Sequence, residues 1–326
     1  MIDPILTICI QTFNRSNYLE CLLNGLPDCS SFRILVGDYS SEEYHSNLNK
    51  KICDQRTHID YYRGQDLGLD HGFCELMQKA KSEYCWLMPD DDIILEKKLS
   101  HVLSILENKK PSLLLVNSSV YNESLTKALK HKSFTEKLLL KEVSSKNIAD
   151  VEHVLSYIGS CIFNRRRWLE YKESKNIGTY FNHVYVAAEL LNNGCELFAL
   201  SLVCIKIRAN NALWTAKSFQ IWTENWPAAL SSLKTNSTPA KNRIPTSTLL
   251  YYYAYGAINS ERNPLIFRGS KILMLMDIFG QKVSSLIVYI LISIKCFSLV
   301  SEPGYYVLKA NKNKFSRFLL KVYYNE

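Results

Sequence analysis

The sequence has no CxxC pair, and none of its ten cysteines stands at a Cys/His spacing that would hold zinc. A disulfide framework is also missing. Cys9 and Cys85 lie inside apolar, strand-like runs, where a free cysteine behaves as a small hydrophobe, and the scatter fits a reducing cytoplasm. The opening MIDPILTICIQTF lacks a basic n-region and a small-residue cleavage site, so no secretory signal is expected there. No internal repeat, low-complexity tract or nucleic-acid-binding motif appears, and the basic residues are dispersed, which argues against a nucleic-acid partner. No glycine-rich, basic loop follows the first apolar run, where QTFNRSN stands.

What is present is an ordinary globular composition, 47% hydrophobic and 21% charged over 326 residues, enough to bury a sizeable core. The formal net charge of +8 favours an anionic partner such as a phosphate-bearing substrate or an acidic membrane surface. The 20 tyrosines suggest partly exposed aromatic surface for ligands or interfaces.

Strand and helix signals alternate along the first 120 residues. ILTICIQTF, FRILVGD, HIDYYRG, EYCWLMP and PSLLLVNSSVY read as buried strands, and NRSNYLECLLNGL, LDHGFCELMQKAK and ILEKKLSHVLSILENK as helices. Such alternation predicts a parallel sheet covered on both faces, with ligands bound beyond the carboxyl ends of its strands. The polar YSSEEYHSNLNKKI has no assigned element, and the lysine-rich stretch 122–150 reads as a loop joining two halves. Beyond it, YIGSCIFNRRRW predicts a strand and turn, YFNHVYVAAELLNNG a helix with a glycine stop, and CELFALSLVCIKIR a strand pair. KSFQIWTENWPAALSSL predicts a helix up to the region of Pro227, and the chain from about 245 looks helical and increasingly apolar.

Three polar motifs fall at predicted strand ends: Thr12, Asn14 and Arg15; then Asp38, Ser40 and Ser41; then Asp90, Asp91 and Asp92 in WLMPDDDIILE. Carboxylates side by side repel one another and are costly to bury unpaired. An Asp-x-Asp on a strand-end turn is a seat for a hard divalent cation, which prefers oxygen ligands. The other reading is an acidic first turn of the following helix. A second strand-end acid, Asp38, in the same crevice favours the cation seat.

TICIQTFNRSNYLECLL, ILVGDYSS and LGLDHGFCELMQKAKSEYCWLMPDDD, in this order over about the first 95 residues, resemble the nucleotide-sugar-binding half of family 2 glycosyltransferases. GSCIFNRRRW, IRANNALW and IWTENW are similar to the bacterial O-antigen subgroup typified by abequosyltransferases, which use CDP-3,6-dideoxyhexose donors. The resemblance implies an α/β GT-A (Rossmann-like) fold, mostly parallel, with flanking helices. It also implies a glycosyltransferase domain over 1–235, split into a donor half at 1–120 and an acceptor half at 121–235, with a helical region over 236–326. A nucleotidyltransferase shares this topology but would place a phosphate loop where QTFNRSN stands.

Carried over residue by residue, the resemblance implies that Thr12, Asn14 and Arg15 line the nucleotide and that Asp38 contacts its base. Asp90 and Asp92 would hold Mg²⁺ or Mn²⁺, with Asp92 the direct ligand and Asp91 orienting the donor sugar or ribose. Asp66 and Asp70 flank a turn that approaches the donor, and an ordinary turn acid and a helix N-cap are the alternatives. Arg208 would approach the diphosphate, with a surface arginine as the alternative. One element departs from the pattern: where the family places an acidic pair, this chain has Asn182 and His183. His183 is the candidate base, against a structural histidine, and Asp150, Glu152 and Glu189 are its rivals. Arg165, Arg166 and Arg167 read as a solvated face, and Trp168, Trp214, Trp222 and Trp226 as sugar-stacking or core aromatics.

The implied partners are a CDP- or UDP-sugar donor and a polyprenyl-diphosphate-linked oligosaccharide acceptor at the inner membrane. VSSLIVYILISIKCFSLV is barely long enough to span a bilayer, is interrupted by Lys295, and is followed by a basic, aromatic tail. It predicts peripheral attachment to an anionic cytoplasmic leaflet, with a buried C-terminal helix as the alternative.

Overall fold

The structure is a computed structural model that describes residues 4–132, 140–171, 176–209 and 220–233. Its contacts gather Met1–Ala212 and Asn225–Lys241 into one compact unit, to which the following description belongs. The apolar runs form strands: β1 (Leu6–Thr12), β2 (Arg33–Asp38), β3 (Ile59–Arg63), β4 (Tyr84–Pro89), the short β5 (Ile93–Ile94) and β6 (Leu113–Tyr121). Between them lie α1 (Ser16–Asn24), α2 (Glu43–Asp54), α3 (Leu69–Lys79) and α4 (Glu96–Lys109). The second half adds β7 (Ala128–Lys132), β8 (Leu140–Val143), three 3₁₀ helices within 148–160, β9 (Cys161–Asn164) and α5 (Arg165–Glu170). It ends with α6 (Asn182–Asn192), β10 (Leu197–Arg208) and α7 (Trp226–Ser232).

Among the described residues one sheet runs β3-β2-β1-β4-β9-β6-β10-β5, with β7 beside β6 and β8 beside β10. The pairings of β3, β2, β1 and β4 are parallel, as is that of β6 with β10. β9 is antiparallel to both β4 and β6, which therefore share one direction. The six main strands thus deliver their carboxyl ends to a single edge, as the alternating pattern predicts. Ile8, Cys9, Ile10, Trp86, Leu87 and Met88 are buried on both faces of the sheet, which is why β1 and β4 read as continuous apolar runs. Each such side chain contributes about 1.5–3 kcal/mol by leaving water.

Several expectations are corrected. The polar stretch after β2 forms α2, whose Ile52 and Cys53 supply an apolar stripe too narrow to stand out in the sequence. The segment 122–150 is not a plain loop, since its backbone adds two antiparallel edge strands. The expected strand pair is the single strand β10, whose register shifts near Val203 absorb the irregularity. Helix continues past Pro227, because proline falls in the first turn of α7, where no N–H is needed. Finally, the acidic triplet does not start a helix: β5 intervenes, and the N-cap of α4 is Leu95. Among the described residues no helix is long and apolar enough to cross a membrane. The expected boundary at 235, the apolar stretch 283–300 and Trp214 lie outside the described residues.

Candidate active site

Thr12 ends β1 directly opposite Asp38 at the end of β2, and Gln11 pairs with Pro89 at the end of β4. The triplet is therefore the next turn beyond the β1 end, and the Thr12 hydroxyl donates to Asp90 Oδ2 at 2.7 Å. Arg15, just before α1, reaches the same turn. Its Nη2 lies 2.5 Å from Asp90 Oδ1 and its Nη1 2.8 Å from Asp91 Oδ2. Asp92 is held from the second half of the chain. Its Oδ1 accepts the Arg208 backbone N–H at 2.7 Å, and its Oδ2 accepts the Tyr157 hydroxyl at 2.5 Å. The Arg208 side chain folds over the turn, with Nε donating to the Asp91 carbonyl at 2.9 Å and Nη1 to that of Glu123. Both guanidiniums flank the Tyr18 ring, Arg208 at 4.8 Å and Arg15 at 5.6 Å.

All three carboxylates are buried, and Asp91, 9% exposed, is the most open. Burial pushes Asp90 up to about 7; the Arg15 charge works against this and the Asp91 charge adds to it. Burial, and next the Asp91 charge, push Asp92 up to about 8. Burial opposes the Arg15 charge, but the two carboxylates outweigh it and raise its pKa. The turn thus packs three acids against the Arg15 and Arg208 side chains, and burial disfavours full ionisation of Asp90 and Asp92 unless a further cation joins them.

That arrangement, with a donor set made only of carboxylate oxygens, fits a hard divalent cation. Asp92 keeps capacity for one, because each carboxylate oxygen can accept twice. Among the described residues no three Asp, Glu, His or Cys side chains form a complete metal cage. A cation here would therefore take further oxygens from water or a bound phosphate, as Mg²⁺ commonly does.

The neighbouring strand end is built more tightly than expected. Asp38 is fully buried, its Oδ1 accepting the Ser40 N–H at 2.9 Å and its Oδ2 the Tyr61 hydroxyl at 2.8 Å. Arg63 donates to the carbonyls of Asp38 and Ser40. Asp38 therefore shapes the loop, and its carboxylate does not open onto the crevice. Asn14, in the left-handed region at φ 51°, ties the β1 and β2 loops together: its N–H donates to Ser40 Oγ and its Nδ2 to Ser41 Oγ, both at 2.9 Å. Asparagine is among the residues that adopt this conformation at least cost.

The two acids of DLGLDHG take different parts. Asp66 is an exposed turn acid whose Oδ1 accepts the Gly68 N–H at 3.1 Å. Asp70 is buried and accepts three backbone N–H groups ahead of and at the start of α6: Gly178 at 2.9 Å, Tyr180 at 2.8 Å and Asn182 at 3.3 Å. Burial raises its pKa, and those backbone donors work against the rise. Asp70 is thus a cap, but for a helix 112 residues away, not its own.

His183 lies in the first turn of α6, directly after the Asn182 whose N–H Asp70 accepts. It is buried, with Nε2 on the Leu155 carbonyl at 2.8 Å. Burial pulls its pKa down to about 4, so it is neutral at physiological pH, and its Nδ1 has no hydrogen-bond partner. The side chain of the expected base is thus enclosed, and its hydrogen bond goes to the backbone. Among its rivals, Asp150 pairs with Lys141 at 2.6 Å on the surface and Glu152 is buried. Glu189 lines a cavity of about 720 Å³ with Glu83, Ser112 and Asn164. Those residues mark the opposite edge of the sheet, so that cavity is remote from the triplet. Of the other singled-out residues, Arg165 donates to the Met77 and Gln78 carbonyls, while Arg166 and Arg167 pair with Glu170 on the surface. Trp168 packs edge-on against Phe163, and Trp226 lies tilted against Phe181, both as core aromatics.

Tyr18 and Tyr157 escape a reading of the sequence. Neither stands in a spacing that marks it, and only the high tyrosine count hints at such roles.

The architecture matches solved structures of TarS from S. aureus. Residues 1–349 of that protein in complex with UDP-GlcNAc give a TM-score of 0.55 at 13% identity, covering 83% of this chain and 78% of that one. The complex with UDP gives 0.53 at 14% identity, with the same coverage. The shared fold is GT-A. A curated relative, Abequosyltransferase RfbV of Salmonella typhimurium, is 24% identical over 231 residues, covering 64% of this chain and 67% of its own length. The model of the family described as Glycosyl transferase family 2 matches residues 7–171. That span runs from β1 to the end of α5 and takes in the strand ends bearing Thr12, Asp38 and the triplet: the chain belongs to glycosyl transferase family 2.

Proposed function

We propose that this glycosyltransferase moves a 3,6-dideoxyhexose from a CDP-sugar to a lipid-linked O-antigen oligosaccharide in lipopolysaccharide biosynthesis, and that it depends on Mg²⁺ or Mn²⁺. One observation carries the site assignment: the Asp90–Asp92 turn and the Arg15 and Arg208 guanidiniums meet around Tyr18 at the carboxyl edge of the sheet. A nucleoside diphosphate sugar needs both signs of charge at one place. Guanidinium suits phosphate oxygens in a bidentate fork, and carboxylates suit a cation bridging to the same phosphates.

In this reading Asp90 and Asp92 hold the cation, which would neutralise charge developing on the diphosphate leaving group. Arg15 and Arg208 take the diphosphate oxygens, and Tyr18 keeps the two guanidiniums apart. Asp91, the most open of the three acids, orients the donor sugar or ribose. Thr12 fixes Asp90, Asn14 shapes the nucleotide loop, and Asp38 shapes the base pocket through Tyr61. Asp66 stays at the rim. Donor binding falls mainly to 1–120, with Arg208 added from the second half, and acceptor binding to 121–235. The apolar stretch 283–300 and the basic tail behind it support attachment of 236–326 to the cytoplasmic face of the inner membrane. The similarity to an abequosyltransferase supports the dideoxyhexose and the O-antigen acceptor.

The test is a screen of CDP- and UDP-sugars for metal-dependent binding and slow hydrolysis. A CDP-dideoxyhexose should be preferred, and Asp92→Asn should abolish the metal dependence. Preference for a UDP-sugar would overturn the donor assignment, and an Asp92→Asn enzyme with unchanged affinity and turnover would overturn the site. Equal membrane association after deleting 283–326 would defeat the attachment.

A further inference from the structure

The Asp92 carboxylate is oriented from the second half of the chain. Its Oδ1 faces the Arg208 N–H of β10, and its Oδ2 faces the Tyr157 hydroxyl, 65 residues away in sequence. Two donors from two separate elements, one on each oxygen, fix the plane of the carboxylate.

The Tyr157 ring is itself held in a shaped place. Its backbone lies between two 3₁₀ helices, with its N–H on the Val154 carbonyl at 3.1 Å and its carbonyl accepting the Ser160 N–H at 3.0 Å. A Cβ at Gly159 would overlap the ring at the hydroxyl, Cζ and Cε1. Glycine is thus required here by the close approach of the ring, since its φ lies outside the left-handed region. The Gly159 carbonyl accepts the Trp86 Nε1–H at 2.7 Å, and Trp86 is a fully buried residue of β4, the strand that delivers the triplet. On the other side, His183 anchors the preceding 3₁₀ helix through the Leu155 carbonyl. The chain Trp86–Gly159–Tyr157–Asp92 therefore leaves β4 at its middle and returns to the turn at its end.

We propose that Tyr157 is a positioning residue that fixes the Asp92 carboxylate for cation and donor, and that Gly159 is the seat that admits its ring. The proposal rests on the reading of Asp92 as a metal ligand. Groups that orient a metal ligand from behind typically account for 10–100-fold in metal affinity or activity. Tyr157→Phe removes only the hydroxyl, so the ring still fills its place. Gly159→Ala keeps the hydroxyl but displaces the ring that carries it.

The experiment measures Mn²⁺ binding to the full chain by titration, with and without CDP, and steady-state kcat and KM for the donor, across Tyr157→Phe, Gly159→Ala, the double variant and Asp92→Asn. Tyr157→Phe is expected to weaken Mn²⁺ binding roughly 10–100-fold, with melting temperature nearly kept. Gly159→Ala should show the same loss, and the double variant little more than either single one, since both act through one contact. Should either single variant fold poorly, the other carries the same comparison. If Asp92→Asn loses Mn²⁺ binding while folded Tyr157→Phe or Gly159→Ala binds as the native chain does, the positioning role is overturned and the metal site stands. If Asp92→Asn binds Mn²⁺ unchanged, the metal reading falls and this inference with it.

Discussion

The Arg15 guanidinium stands 2.5 Å from Asp90 Oδ1, and its other arm reaches Asp91 at 2.8 Å. A cation belonging to the protein thus already bridges the two carboxylates nearest the end of β1. Asp90 has no exposure at all, whereas the Arg15 side chain keeps 18% of its own. Removing one partner of a buried pair costs about 3–5 kcal/mol, and the partial exposure of Arg15 argues for the lower end. Arg15→Gln should therefore lower the metal-free melting temperature by roughly 6–10 °C for a domain of this size. Added Mn²⁺ should recover part of the loss, because a second cation then meets the same carboxylates. A variant that melts like the native chain in EDTA would show that the pair does not stabilise the fold.

The same turn predicts an unusual pH response. Asp90 and Asp92 are pushed up to about 7 and about 8, chiefly by burial, while an unfolded aspartate titrates near ~3.9. Between these values the folded state holds protons that the unfolded state has released, so stability falls as pH rises. The window from pH 6.5 to 8 is the cleanest, because His183 is neutral in the folded state there and its opposing contribution fades once pH passes the unfolded value of ~6.5. Metal-free melting temperature should drop across it, Mn²⁺ should oppose the drop by favouring the ionised acids, and Asp92→Asn should flatten it. Melting temperatures in EDTA that climb from pH 6.5 to 8 would contradict the assignment.

Asp66 and Asp70 should respond very differently to removal. Asp70 accepts three backbone N–H groups from a buried position, while Asp66 closes an exposed turn. Leaving buried donors unsatisfied costs about 1–3 kcal/mol each, so Asp70→Ala should destabilise the chain by several kcal/mol and loosen the start of α6. Asp66→Ala should stay within about 0.5 kcal/mol, as surface changes usually do. Denaturant unfolding of both variants decides the matter, and equal losses would refute the distinction.

That pair also shows what was legible in the sequence. The donor half could be read because buried parallel strands make long apolar runs, and because polar motifs at their ends must share one edge. Asp90, Asp91, Asp92 and Arg15 fall together for that reason alone. Whether an acid faces a crevice or a backbone depends on contacts between distant segments, as in Asp70 with Tyr180 or Asp38 with Tyr61. No local pattern encodes those. The strand β9 was legible in YIGSCIFNRRRW, but its antiparallel place between β4 and β6 was not, since four residues carry no signal of direction. Tyr157 was invisible because its role needs Gly159 to be small and Trp86 to be near, neither of which a spacing rule captures.

His183 supplies the last prediction. Its Nε2 bonds to the Leu155 carbonyl in a buried site, and burial lowers its pKa to about 4. Because the unfolded histidine titrates near ~6.5, stability from this residue is complete above that pH and is lost as pH falls toward 4. His183→Gln keeps a donor for the carbonyl and removes the titration, so it should weaken the acid sensitivity of the melting temperature between pH 6.5 and 4. Loss of a general base typically costs 10²–10⁴-fold in rate, whereas this variant should keep kcat within about 10-fold of the native value. A kcat loss of 10³-fold in a folded His183→Gln enzyme, with the acid limb of the rate profile abolished, would instead restore the histidine to the reaction. The two readouts separate cleanly, because a structural histidine shifts the melting curve and a catalytic one shifts the rate.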